Sequence, residues 1–294
     1  MKYELTKAPV FGRYNDIQLE ELDFNLMVEL EKELGKPIPP KKKLDWNLYG
    51  YVHQNRKIEE LGLYLKKIML LNEKIGLLKE LKSLWLEEND IELIPPSFEN
   101  LRKLRNLSFN MNNLSELPTY FQNFIELESL EINHNHLSTL PDIFSGMKKL
   151  VKLDISHNQL ETLPDSVVNL KGLKEFRLNN NIISHLPEDI EQLEQLQKLF
   201  LSSNRLTTLP SSIIQLAHLE KLYIDKNPNL QVTTEQLEWL SEVEGNGCFI
   251  RSDFERLEPK RSIQVLKPHK DSGIKMKEIK KKRTWLQKLL KKKK

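Results

Sequence analysis

A leucine-based unit recurs every 23 residues between Leu81 and Asn227, and no other feature of the chain restricts its fold as strongly. The leading leucines are Leu81, Leu104, Leu127, Leu150, Leu173, Leu196 and Leu219. Three residues later stand Leu84, Leu107, Leu130, Leu153, Phe176, Leu199 and Leu222, and two further on Leu86, Phe109, Ile132, Ile155, Leu178, Leu201 and Ile224. An amide column then follows without exception: Asn89, Asn112, Asn135, Asn158, Asn181, Asn204 and Asn227. Prolines close six of the units, at Pro95, Pro118, Pro141, Pro164, Pro187 and Pro210. One such unit cannot bury its own leucines; stacked units share a continuous core.

Each residue type has a physical role in the stretch LDISHNQLETLP, residues 153–164. Leu153 and Ile155 alternate with period two, so they mark a short strand facing inward. Asn158 falls where the chain leaves that strand, and its side chain can donate to and accept from backbone that no ladder satisfies. The seven asparagines are therefore expected to stack as a structural ladder. Pro164 suits a turn or a first helical position. The spacing of three at Val167, Leu170 and Leu173 predicts a short helix or 3-10 turn on the outer side.

The pattern L-x-x-L-x-L-x-x-N-x-L resembles the leucine-rich repeat, and the L-P half with its 23-residue period is most similar to the Ras-suppressor type of that family. The resemblance covers residues 81–227 closely. It extends loosely to 58–80, where Ile58, Leu61, Leu63, Ile68, Leu71, Ile75 and Leu78 keep their places but Lys66 replaces the asparagine and Asn72 the proline. It implies an α/β, right-handed leucine-rich repeat solenoid with a curved parallel β-sheet on the concave side, short helices or 3-10 turns on the convex side, and a cap at each end. By the same analogy, a small GTPase or its regulator is a candidate partner.

The expected divisions are an N-terminal helical and hairpin cap (1–57), a solenoid of about eight units (58–230), a C-terminal cap (231–258) and a basic tail (259–294). Within the first cap, residues 16–34 place Leu19, Leu22, Leu26 and Leu30 on one helical face with Gly35 as the stop. Residues 49–64 read as an antiparallel hairpin turning near Gln54–Arg56. In the second cap Thr233 and Gln236 have capping-box spacing, Leu237, Leu240 and Val243 form the apolar side, and residues 248–254 are expected to add a last strand. Beyond about 258 the polar composition predicts disorder.

The residues left over define the predicted site. One column reads Gly62, Trp85, Ser108, Glu131, Asp154, Arg177, Phe200 and Tyr223; the next Tyr64, Glu87, Asn110, Asn133, Ser156, Asn179, Ser202 and Asp225; the third Leu65, Glu88, Met111, His134, His157, Asn180, Ser203 and Lys226. Aromatic side chains are frequent interface anchors. Tyr64, Trp85, Glu87, Met111, Glu131, Asp154, Arg177, Phe200 and Tyr223 are accordingly expected to bind a protein or peptide partner bearing basic and apolar groups. For Trp85 the plainer expectation, partial cover by the N-terminal cap, stands beside that one.

Other chemistries find little support. His134, His136 and His157 have no cysteine or acid at a recognised ligand spacing, so no metal is expected. Cys248 reads as a buried small hydrophobe, and a lone cysteine suits a reducing compartment. No G-x-x-x-x-G-K-[ST], G-x-S-x-G or H-E-x-x-H motif occurs, and neither enzymatic activity nor a cofactor is expected.

The total charge of +3 hides an asymmetry. Residues 274–294 carry ten lysines and one arginine against Glu278, a net +10, which leaves −7 for the rest. The tail has three readings: a solvated lysine run, an amphipathic helix placing Trp285, Leu286, Leu289 and Leu290 in an anionic membrane surface, or nucleic-acid contact, which the acidic body disfavours. The sequence thus predicts a monomeric cytoplasmic scaffold or signalling adaptor, peripheral at the inner membrane face if the tail inserts. The alternative is a passive structural adaptor whose tail is the functional element.

Overall fold

The computed structural model of the protein describes residues 11–14 and 17–253. Its centre is a ten-stranded sheet. Strands β3 (Tyr49–Gln54) and β4 (Lys57–Leu63) form an antiparallel hairpin at one edge. Then β5 (Ser83–Trp85), β6 (Asn106–Ser108), β7 (Ser129–Glu131), β8 (Lys152–Asp154), β9 (Glu175–Arg177), β10 (Lys198–Phe200) and β11 (Lys221–Tyr223) add in sequence order, all parallel. β12 (Phe249–Arg251) closes the other edge, also parallel. Each strand of the repeat is three residues long, the middle one a buried leucine or phenylalanine.

Opposite the strands the described residues form seven 3-10 turns, among them Pro96–Asn100, Asp165–Asn169 and Ser211–Gln215. They are wider than strands set about 4.8 Å apart, so the stack bends with the sheet on its inner side. Pro95, Pro118, Pro164 and Pro210 each stand at the head of one turn in extended geometry. The fixed ring torsion and missing N–H of proline cost nothing there.

The asparagine ladder binds consecutive units. Every member accepts a backbone N–H 21 residues back, or 21 and 23 back for Asn89, and donates to a carbonyl 26 residues back. All seven are buried. Lys66 can replace an asparagine in the first unit because no earlier repeat turn lies behind it to be served. Next to the ladder the chain turns through the left-handed region at Leu65, Glu88, Met111, His134, His157, Asn180, Ser203 and Lys226, with φ between 50° and 58°.

Two departures from the sequence-based expectation concern the N-terminal cap. Residues 17–20 form strand β2 (Ile17–Glu20), paired with β1 (Phe11–Tyr14), and helix α1 starts only at Glu21 (Glu21–Leu34). Leu22 is 56% exposed, whereas Asp23, Leu26, Met27 and Leu30 are buried. On the inward face, in the place expected for Leu22, the Asp23 carboxylate accepts the Ile58 N–H at 2.7 Å. Gly35 ends the helix in the left-handed region. The hairpin turns at Asn55 and Arg56, both with positive φ, as a two-residue type I′ connection requires.

At the other end, helix α2 (Thr234–Gly245) carries the full capping box: Thr233 Oγ1 accepts from Gln236 N, and Gln236 Oε1 accepts from Thr233 N. Gln236 Nε2 also donates to Leu209 O and Pro210 O. Trp239 joins Leu237 and Leu240 on the buried side, a member the heptad-like spacing omits. The expected disorder of the tail and its contact residues Trp285, Leu286, Leu289 and Leu290 fall outside the described residues. No described helix is long and apolar enough to cross a membrane.

Candidate functional site

The in-register sheet lays the first predicted column along one line. Gly62, Trp85, Ser108, Glu131, Asp154, Arg177, Phe200 and Tyr223 are direct strand partners, and β12 extends the line to Arg251. Residues two apart on a strand share a face, so the first strand position belongs to the same surface. That position supplies Lys152, Glu175, Lys198, Lys221 and Phe249. Sequence reasoning missed this second row, although the same period-two rule would have found it.

The C-terminal end of the face is aromatic and cationic. The Phe200 and Tyr223 rings meet edge to face at 4.9 Å, and Tyr223 lies 5.7 Å from Phe249, which is 58% exposed. The Arg177 guanidinium sits 4.8 Å from the Phe200 ring centre and that of Arg251 6.0 Å from Tyr223. Such stacking holds planar groups in place without hiding them, as at protein-binding hot spots.

The middle is charged but largely self-neutralised. Lys152 Nζ meets Glu131 at 2.8 Å, and Glu175 holds both Arg177 (2.6 Å) and Lys198 (3.0 Å). These two cations, with their hydrogen bonds, outweigh burial and leave the Glu175 carboxyl below its ordinary range. Asp154 is buried; it accepts from Ser156 N and Oγ and from Asn133 Nδ2. It therefore does not offer the free carboxylate that the sequence led us to expect. His134 and His157 stack at 3.8 Å, with His157 3.0 Å from Asn180 Nδ2. Among the described residues no cluster of three His, Cys, Asp or Glu side chains could hold a metal.

The second predicted column is only partly a surface. Glu87, Ser156 and Asp225 are buried, and Ser108 in the first column is too. The strands end before the second column, and the chain turns left-handed at the third, so alternation stops and these three side chains are withdrawn from the face. Glu87 is 2% exposed, and neither carboxyl oxygen has a hydrogen-bond partner. Burial pushes its pKa up to about 8; the Ser108 hydroxyl, close enough to oppose the shift, does not reach bonding geometry.

At the N-terminal end a cleft of about 640 Å³ opens between connector residues 43–46 and the strand face. Its lining includes Trp46, Trp85, Glu87, Met111, Glu131 and Arg177. Trp85 is half-buried, while Met111 and Trp46 remain exposed. Tyr64 stands edge-on to Trp46 at 6.3 Å and donates its hydroxyl to Glu88 at 3.0 Å. Trp85 and connector residues 43–46 thus line the same cleft.

Comparison with known proteins supports the repeat assignment. A model described as "Leucine-rich repeat region" matches residues 165–289, a second, "Leucine rich repeat", matches 111–160 and 125–183, and a third matches 80–101. No curated protein sequence matches the chain at a significant level. Among solved structures, an internalin (inlF) of Listeria monocytogenes str. 4b F2365 is 25% identical with a TM-score of 0.54, over 67% of this chain and 54% of its own. The plant peptide hormone receptor RGFR1, in complex with RGF2, is 29% identical with a TM-score of 0.54, over 60% of this chain and 29% of its own. Internalin C2 (inlC2) of the same Listeria strain, 19% identical with a TM-score of 0.56 over 66% of this chain and 80% of its own, shares the fold. The chain therefore spans about half of the first internalin and under a third of the plant receptor. With period, strand register and ladder already in place, these matches make the chain a member of the leucine-rich repeat proteins.

Proposed function

We propose that the chain is a non-enzymatic protein-binding scaffold whose partner lies across the inner strand face. Leucine-rich repeat domains commonly mediate protein binding, and the plant receptor similar to this chain is one in complex with a peptide hormone. The observation that carries the proposal is the accessible row Phe200, Tyr223 and Phe249, flanked by Arg177 and Arg251. The 23-residue period favours the Ras-suppressor type, and with it a small GTPase or its regulator as the first partner to test. Analogy of fold alone does not choose it. A buried free Cys248 fits a reducing compartment, and we place the protein in the cytoplasm.

The test is affinity capture on the full-length chain, followed by measurement of the recovered partner's affinity. Phe200→Ala and Tyr223→Ala should each weaken binding by roughly 2 kcal/mol at unchanged melting temperature. A partner that tolerates both changes and is lost only when residues 274–294 are removed would favour the tail as the functional element. That second reading rests on the +10 charge of the tail, and flotation with liposomes containing or lacking anionic lipid distinguishes membrane attachment from the rest.

A further inference from the structure

Among the described acids beside the strand face, Glu87 has no charged partner, and only the nearby Ser108 hydroxyl and its own backbone ease its burial. Glu131 has Lys152, Glu175 has Arg177 and Lys198, Asp225 has Arg251, and Asp154 has three hydrogen bonds. Glu87 is buried in the wall of the N-terminal cleft with both oxygens unpaired. An isolated buried carboxylate is costly, and such a group stays neutral until a counter-charge arrives.

The surroundings specify which counter-charge fits. The cleft is lined by the carboxyls of Asp45, Glu87, Glu88, Glu131 and Asp154 against the cations Lys43, Lys152 and Arg177. Lys152 and Arg177 are already held by Glu131 and Glu175, so among the described residues Lys43 alone of these cations has no ion-pair partner. The remaining excess is negative. Trp85 and Trp46 also line the cleft, and an aromatic face attracts a cation, most strongly when that face is tryptophan. Met111 adds an exposed apolar contact for a side-chain stem.

We propose that this cleft receives a lysine or arginine side chain from an extended segment of the partner protein, with Glu87 as its counter-charge and Trp85 as its aromatic wall. The proposal rests on the strand-face reading above and adds to it the chemistry recognised at one end. Binding ionises Glu87: the carboxyl proton leaves to solvent as the ammonium or guanidinium pairs with the carboxylate. The charged groups that line the cleft with Glu87 are Asp45 and Lys43 from the connector, Glu88 from its own turn, Glu131 from β7, Asp154 and Lys152 from β8 and Arg177 from β9. Burial holds the Glu87 proton up to about 8.

The experiment selects binders from a phage-displayed random dodecapeptide library on the full-length chain, then titrates the synthetic peptides by calorimetry. The selected peptides should share a lysine or arginine. Replacing it with norleucine should weaken binding at least 10-fold in the wild type but less than 2-fold in Glu87→Gln. Wild-type affinity should rise about 25-fold from pH 6.5 to 8.5, and titration in buffers of different ionisation enthalpy should register about 0.9 proton released at pH 7. The proton measurement needs no variant, so a misfolded Glu87→Gln would not shield the proposal. Peptides lost with Phe200→Ala yet indifferent to the cation, or binding without proton release, overturn this inference and leave the strand-face reading standing. Peptides indifferent to Trp85→Leu, Phe200→Ala and Tyr223→Ala alike, or a library without binders, overturn both. Affinity that climbs when the lysines of residues 274–294 are replaced overturns the choice of a separate partner, since this chain would then fill its own cleft.

Discussion

Asn158 Oδ1 accepts the Leu137 N–H at 3.0 Å while its Nδ2 donates to Ile132 O at 2.9 Å, so one side chain completes the turn of the repeat before its own. Removing it strands a buried donor and a buried acceptor together. Asn158→Ala should cost about 2–4 kcal/mol, because each unsatisfied group costs about 1–3 kcal/mol. Urea unfolding monitored by circular dichroism reads this directly; a loss below 0.5 kcal/mol, on the scale of an ordinary surface substitution, would mean that the ladder is not a principal support.

Asp23 gives the fold a stability component with an unusual sign. Burial pushes its pKa from 3.8 to about 6, against the Ile58 N–H that lowers it. The folded state thus holds the proton more tightly than the unfolded chain. The contribution is fully present below pH 3.8 and declines as pH rises to about 6, by roughly 2–3 kcal/mol. Asp23→Asn keeps an acceptor for Ile58 and should flatten this component. Comparing wild type and variant by urea unfolding at pH 4 and pH 7 isolates it; equal differences at both values would refute the assignment.

Gly62, the strand partner of Trp85, packs against the chain at Leu44 and Leu48. A Cβ there would meet the Leu48 carbonyl oxygen at 2.3 Å, a backbone contact that cannot yield alone. Gly62→Ala should push the connector outward, cost about 1–3 kcal/mol, and shift tryptophan emission to the red as Trp85 gains solvent. Unchanged emission with unchanged stability would show that the connector does not press on this face.

Cys248 should be inert in the native state. It is 4% exposed, and burial, with Glu244 and Glu220 adding to it, pushes its thiol up to about 11. A thiol-disulfide reagent at pH 8 should label none of it over minutes in buffer and all of it in urea. Rapid native labelling would reopen a nucleophilic role.

The architecture was legible because it depends on residue type at fixed spacing. Leucines at three and two steps give the strand, and the amide column gives the turn. The in-register sheet then follows from the period. What escaped is local geometry beyond the strand. Alternation was extended through Glu87 and Ser156, although the strands stop at Trp85 and Asp154 and the next two residues carry the chain into a left-handed turn. Spacing cannot show that such a position is roofed by the neighbouring unit. The error at Leu22 has a similar origin. Helical spacing continues smoothly across residues 17–20, and it cannot show the long-range contact between Asp23 and Ile58 that lies on the inward face.

The backward reach of the asparagines gives the stack an order of assembly. A unit newly emerged from the ribosome holds an unfinished bend until the following 23 residues arrive to seal it. Shortening the chain from its C-terminus should therefore always expose a raw edge. At the C-terminal boundary of the described stack the backbone contacts are closed by other groups: the Arg251 carbonyl takes the Ile224 amide, as each following strand does for the unit before it, and the Asp253 carboxylate takes the Lys226 amide where earlier units offer a backbone carbonyl. A design that lengthens the arc would need to carry this closing segment along with each added unit.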